Sequence, residues 1–436
     1  MSVKIVFIGA GSIIFVKNLI GDCLLTPGLH DAHIALLDID KEKLRLSEMM
    51  LNQLNNNINE GRATIKAYDN QREALQDADF VINAIMVGKY DPQVIQDFEI
   101  PLKYGLKQTY ADTLGMGGIM RGLRTIPVMM DIAREMEEVC PDAWLLNYTN
   151  PMAIVTGAIQ RETSIKTVGL CHSVQICVPD LLQGLGMDSS GVKSKIAGIN
   201  HQAWLLEVHR DGVNLYPEIK RRALERTEPH DDRVRYEMMK QFGYYVTEST
   251  QHTAEYVPYF IKNAYPELLD RFGIQTLMYR DWGKSQQDYW NQAKEELIHN
   301  TGLTHQRTHE YASYIIEAMV WDKVYKIGAN VLNRNYITNL PNDVCVEVPC
   351  LVDGSGITPC HVGELPQQLA ALNRTNINPQ ILTIEAALKG DREGVCHAAM
   401  LDPHTSAELS LDDIRSMCNE LLDANKAYLP QFQFHG

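Results

Sequence analysis

Apolar residues along this chain follow two rhythms that take turns. Short apolar runs occupy residues 3–8, 33–37, 64–67, 78–84, 144–147 and 167–170, and each reads as a strand. Between them, residues 41–55 and 125–139 carry apolar side chains at the three-to-four spacing of a one-sided helix. Pro151 opens a further helix at the first position, where proline is tolerated. Strand and helix in repeated succession predict an α/β fold with a Rossmann-like, doubly wound, mostly parallel sheet. Beyond residue 195 the rhythm changes. Residues 203–209 and the Arg210-Asp211-Gly212-Val213 turn read as a hairpin, and the remainder reads as long helices with one alternating strand at 344–348. The expectation is a dinucleotide-type unit over 1–195 and an α+β unit for substrate and metal over 196–436, in the manner of lactate and malate dehydrogenases. No internal repeat, low-complexity tract or flexible linker interrupts them.

Composition narrows the function classes. A chain of 436 residues exceeds what one ordinary core holds, which supports two domains. A formal net charge of −15 argues against nucleic acid and anionic membrane as partners, since both need basic patches. No apolar run reaches the ~18 residues of a membrane span, and no signal-peptide pattern precedes the first strand. The nine cysteines are scattered, with no CxxC pair, as expected of free thiols in a reducing cytoplasm.

The first strand empties into Gly9-Ala10-Gly11-Ser12. Gly9 permits a tight turn, Gly11 lets backbone approach a pyrophosphate, and the amides from Ser12 onward begin a helix whose dipole favours an anion. The place of the third fingerprint glycine is taken by Ile14. Asp38, at the end of the second strand, is suited to both ribose hydroxyls of NAD and would repel a 2′-phosphate. Ligand groups in such sheets sit past the carboxyl ends of strands, and that rule selects Asn150, Cys171 and His172. With His201 opening the second half, a thiolate and an imidazole could converge on a divalent metal. The same two residues also read as a small buried thiol and a satisfied core histidine.

The runs Phe7-Ile8-Gly9-Ala10-Gly11-Ser12, Leu146-Asn147-Tyr148-Thr149-Asn150-Pro151-Met152, Gly169-Leu170-Cys171-His172-Ser173-Val174-Gln175 and Ala197-Gly198-Ile199-Asn200-His201 resemble family 4 of the glycoside hydrolases, essentially end to end. The Cys-His-Ser-Val-Gln form is most similar to the α-galactosidase (melibiase) branch. The resemblance implies a reaction unlike that of two-carboxylate glycosidases. Bound NAD⁺ takes hydride from C3 of the sugar, a base takes the acidified C2 proton, and the aglycone leaves by elimination. Water then adds and the hydride returns. Cys171 and His201 are carried over as ligands of Mn²⁺, Asn150 as a hydrogen-bonding partner of the sugar, and Tyr256 as the C2 base. Where relatives have Asp after the metal cysteine this chain has His172, the first candidate for leaving-group acid. Asp112 is the second, although it equally suits a helix N-cap or a bond to the Gly115-Gly117-Gly118 loop. Glu255 and His252 read either as outer groups of the site or as a solvated face.

The resulting expectation is a cytoplasmic homo-oligomer, dimer or tetramer, acting on small-molecule α-galactosides such as melibiose or raffinose. An α-galacturonide or another glycoside of the family is the alternative substrate. A lactate/malate-type dehydrogenase shares the Rossmann half but needs an Asp-His pair and no metal thiolate. A non-catalytic NAD-responsive protein is disfavoured by the absence of a basic face.

Overall fold

The computed structural model describes residues 2–281, 283, 285, 294 and 300–433. Six strands make the first half of the sheet: β1 (Lys4–Ile8), β2 (His33–Leu37), β3 (Thr64–Tyr68), β4 (Phe80–Asn83), β5 (Trp144–Asn147) and β6 (Lys166–Gly169). They lie in the order β3-β2-β1-β4-β5-β6, all parallel. Such a sheet is covered on both faces, which is why its strands are continuous apolar runs. In β1, Ile5 and Phe7 enter one apolar layer while Val6 and Ile8 enter the other. The order reverses direction at β1 and β4, and a crevice opens there at the carboxyl ends.

The strands that follow are β7 (Lys193–Ile199), β8 (Gln202–Arg210), β9 (Val213–Asn214), β10 (Tyr245–Val246), β11 (Tyr325–Leu332), β12 (Cys345–Asp353) and β13 (Gly356–Pro359). They continue the same sheet in antiparallel fashion. β11 joins β6 through Asn330 opposite Gly169, β12 joins β7 through Glu347 opposite Gly198, and β10 closes the far edge against β8. The sheet therefore runs unbroken across residue 195. The helix Leu411–Asn425 returns to the first half and places Ile414, Met417 and Leu421 in the layer that holds Val6 and Leu145.

Three elements differ from the sequence expectation. The helix expected at 125–139 already begins at Gly115. Its glycines are not a loop: a Cβ on Gly117 would sit 2.4 Å from the Ala111 oxygen, and one on Gly118 would sit 2.5 Å from the Thr113 carbonyl carbon. They let the 111–113 segment lie directly on the helix. β11 was not expected at all, since Gly328 interrupts its pattern; a Cβ there would come within 2.4 Å of Val174. Pro151 stands one residue ahead of the helix Met152–Glu162 rather than inside it. Among the described residues, no helix is long and apolar enough to cross a membrane.

Arg124 ties the C-terminal helix to this framework. Its side chain is 1% exposed, and Nη1 and Nη2 donate to Asp97 Oδ1 and Oδ2 at 3.0 and 2.6 Å. Nη1 also donates to Asn425 Oδ1 at 2.8 Å. Removing one partner of a buried pair strands the other charge, at a cost of about 3–5 kcal/mol. Arg124→Ala is accordingly expected to lower the urea midpoint clearly; a midpoint equal to wild type would show that the pair contributes nothing.

Candidate active site

The glycine turn is built by close approach. Gly9 has φ 94°, and its N–H and that of Ala10 both donate to the Leu37 carbonyl, at 3.0 and 3.1 Å. A Cβ on Gly9 would lie 2.7 Å from the Ala84 oxygen beyond β4. Gly11 donates its N–H to Asp38 Oδ2 at 2.7 Å, and Asp40 donates to Oδ1 at 2.8 Å. The Asp38 carboxylate is thus fixed at the turn by backbone amides. Ser12 is the N-cap of the helix Ile13–Leu24 without a side-chain cap bond, and the first-turn amides point out of the helix end, where a pyrophosphate fits. Ile14, in place of the third glycine, is 41% exposed.

The second cluster forms at strand ends. Cys171 follows β6, His201 lies in the two-residue turn between β7 and β8, and Glu248 follows β10. One ligand atom from each lies within 4.8 Å of the others. His201 and Glu248 adopt φ 61° and 69°, a region that side-chain-bearing residues avoid, and this strain turns both toward Cys171. His201 Nε2 stands 3.6 Å from Glu248 Oε2, while its Nδ1 is buried without a hydrogen bond. Burial raises the Cys171 thiol far above its usual range, and the neighbouring Glu248 and Glu347 raise it further. Glu347, on β12, is itself pushed up to about 7 by burial. A soft sulfur, an imidazole and a carboxylate around one point suit a divalent transition metal.

Around this trio the helix Thr250–Glu255 and the 109–113 segment interlock. His252 Nδ1 is 3.4 Å from Glu248 Oε1 and its Nε2 is 3.5 Å from Asp112 Oδ1. The Tyr110 ring stacks on it at 4.1 Å. Asp112 accepts from Thr113 Oγ1 at 2.8 Å and from Asn150 Nδ2 at 3.1 Å. Burial alone would raise the Asp112 carboxyl, but the His252 hydrogen bond and charge hold it well below the usual range. The N-cap expectation for Asp112 is corrected: Leu114 holds that position. The solvated-face reading of His252 and Glu255 is corrected too. Both are buried, and Glu255 accepts the backbone N–H groups of Thr109 and Ala111, with a carboxyl that burial pushes up to about 7.

Tyr256 caps that helix, 1% exposed, with its ring 6.2 Å from the His201 ring and its hydroxyl buried without a partner. Burial and the nearby Asp112, Glu248 and Cys171 raise the phenol well above its ordinary value. The His172 Nε2 meets Glu310 Oε1 at 2.6 Å, which raises the imidazole. The structure therefore gathers Cys171, His201, Asn150, Asp112 and Tyr256 into one pocket, with His172 immediately beside Cys171. Glu248 and Glu310 were absent from the sequence reading. Nothing in their spacing marks them, because each meets its partner only through strand pairing and loop return.

The sequence model for family 4 glycosyl hydrolases matches residues 4–187, and that for the family 4 glycosyl hydrolase C-terminal domain matches residues 196–405. The chain belongs to glycosyl hydrolase family 4. It is 57% identical over 431 residues to an α-galactosidase of Bacillus subtilis (strain 168), covering 99% of this chain and 100% of that one. An α-galactosidase of Rhizobium meliloti (strain 1021) is 33% identical over 99% of this chain and 90% of its own. Among solved structures, a 6-phospho-α-glucosidase from gut microorganisms, in complex with NAD and Mn²⁺, superposes with TM-score 0.84 at 21% identity, covering 99% of this chain and 100% of that one. Membership of family 4 makes the chain a glycosidase and sets the dehydrogenase reading aside.

Replacing any one ligand of the trio tests it directly. Cys171→Ser, His201→Ala and Glu248→Gln are each expected to weaken Mn²⁺ binding by about tenfold or more in calorimetry, with NAD binding retained. Because the Cys171 thiol is raised and must lose its proton to ligate, wild-type affinity should climb as pH rises. Affinity that ignores both pH and Cys171→Ser would remove the thiol from the site.

Proposed function

We propose that the protein is a NAD- and Mn²⁺-dependent α-galactosidase of the cytoplasm, a homo-oligomer that hydrolyses α-galactosides of the melibiose and raffinose type. The observation that carries this reading is the 57% identity to the Bacillus subtilis α-galactosidase, sustained over 431 residues. The nine cysteines, all free, agree with a reducing compartment.

The residues divide the work by chemistry. The Gly9–Ser12 turn and the amides behind it receive the pyrophosphate, with Asp38 at the ribose end. Cys171 and His201, with Glu248 added to them, hold the metal. When bound, NAD⁺ supplies a hydride acceptor and Mn²⁺ a Lewis acid. Asn150, steadied by Asp112, offers a neutral donor to sugar hydroxyls. Tyr256 takes the C2 proton: its hydroxyl is buried without a partner among the described residues, and a nearby dication opposes the carboxylates that raise it. His172 gives a proton to the leaving oxygen. Asp112 is the poorer acid, since its lowered carboxyl is ionised at neutral pH and both oxygens are occupied.

Stripped protein should regain hydrolysis of 4-nitrophenyl α-galactoside only when NAD⁺ and Mn²⁺ are both restored, without stoichiometric NADH. A stronger turnover of the matching α-galacturonide would reassign the sugar. In heavy water the released galactose should carry deuterium at C2, because only elimination breaks that bond. Tyr256→Phe should lose about 10²–10⁴ in rate while keeping its fold and NAD binding. Galactose without solvent deuterium would refute the elimination route, and an unimpaired Phe variant would take Tyr256 out of it.

A further inference from the structure

Beside the metal trio lies an ion pair of which only the imidazole has a role above. Glu310 is 7% exposed, and while Oε1 meets His172 Nε2 at 2.6 Å, its Oε2 is buried with no hydrogen-bond partner among the described residues. The His172 side chain is 44% exposed, and its Nδ1 carries no hydrogen bond among the described residues. A carboxylate on one ring nitrogen makes that nitrogen the N–H, so any proton exchanged with a ligand must pass through the other.

The segment that carries Glu310 is braced from the nucleotide end. Its N–H donates to Thr308 Oγ1 at 3.1 Å, and that hydroxyl donates to Asp22 Oδ2 at 2.5 Å. Thr308 N–H and His305 Nε2 reach Asp22 Oδ1 at 3.0 and 2.7 Å. Asp22 is fully buried in the last turn of the helix Ile13–Leu24, whose other end takes the pyrophosphate. The contact needs Gly21, where a Cβ would stand 2.7 Å from the His305 ring. A buried carboxylate with a single partner is a weak source of stability. Its placement on the proton-carrying ring points to chemistry instead.

We propose that Glu310 is a positioning residue, which fixes the His172 ring so that Nδ1 faces the aglycone oxygen, and that Asp22 and Thr308 hold Glu310 there from the nucleotide-binding helix. The donor is the doubly protonated ring. As the C1–O bond breaks, its electron pair goes to the aglycone oxygen, which takes the Nδ1 proton, and His172 is left neutral with its Nε2–H on Glu310. The proposal rests on His172 as the leaving-group acid.

The test compares a substrate whose leaving group needs that proton with one whose leaving group does not. In the Glu310→Gln variant, kcat/KM for melibiose should fall about tenfold or more beyond any fall for 2,4-dinitrophenyl α-galactoside, mostly in kcat. Glu310→Asp should recover part of the difference. In the His172→Ala background, Glu310→Gln should add nothing to the melibiose loss. Independently of activity, ¹⁵N-histidine spectra of metal-free protein, assigned through His172→Ala, should show His172 with Nε2 protonated and a redistribution between tautomers in Glu310→Gln. An unchanged tautomer, or equal loss on both substrates, overturns the positioning role. If the tautomer shifts but His172→Ala spares melibiose, it is the acid reading of His172 that fails, and the proposal with it.

Discussion

The site depends on an excess of buried acidic and proton-binding groups over the cationic side chains that surround them. Glu248, Asp112, Glu255, Glu347 and the Cys171 thiol surround the point where His201 and His252 meet. Two imidazoles, with Arg121 acting on Asp112 and Arg235 on Glu248, face four carboxylates and a thiol, and burial makes each unpaired charge costly. The protein answers by leaving some groups protonated: Glu255 and Glu347 are pushed up to about 7, and the Cys171 thiol higher still. A dication is the other answer, and it favours the ionised forms that ligation and base catalysis need.

The backbone is shaped by the same constraint. His201 and Glu248 could point elsewhere at lower conformational cost, yet both sit at positive φ. The hairpin turn between β7 and β8 and the end of β10 are rigid because their strands are paired on the main sheet, so the strain is held by many hydrogen bonds elsewhere. The glycines serve this geometry as well. Gly117 and Gly118 bring the 111–113 segment onto its helix, which sets Asp112 against Asn150 and His252.

What the sequence made legible follows from this division. β1, the Gly9–Gly11 turn and Asp38 lie close together in the chain, and their chemistry is local. Cys171 and Asn150 were legible because strand ends are where such sheets keep ligand groups. Glu248 was not, since its partners come from other strands and only the antiparallel half of the sheet brings them together. Glu310 was hidden for a similar reason, being placed by Asp22 and Thr308 across the fold. Two of the three differences in secondary structure share a cause: at Gly117, Gly118 and Gly328, glycine marks close packing inside an element, whereas its local propensity signals a break.

The arrangement also explains how a glycosidase can dispense with a free carboxyl pair. Asp112 and Glu255 are the carboxylates best placed to act, and both are engaged: one with Asn150, Thr113 and His252, the other with backbone amides. Neither presents the open oxygen that direct displacement requires. Among the described residues, the buried polar atoms left without partners around the trio include the Tyr256 hydroxyl, His201 Nδ1 and Glu347 Oε2. A buried phenol without a partner among the described residues, beside carboxylates that are already engaged, supports the proposed removal of a proton from carbon. In the proposed route, acid catalysis on the glycosidic bond falls to His172, whose side chain is partly exposed beside Cys171.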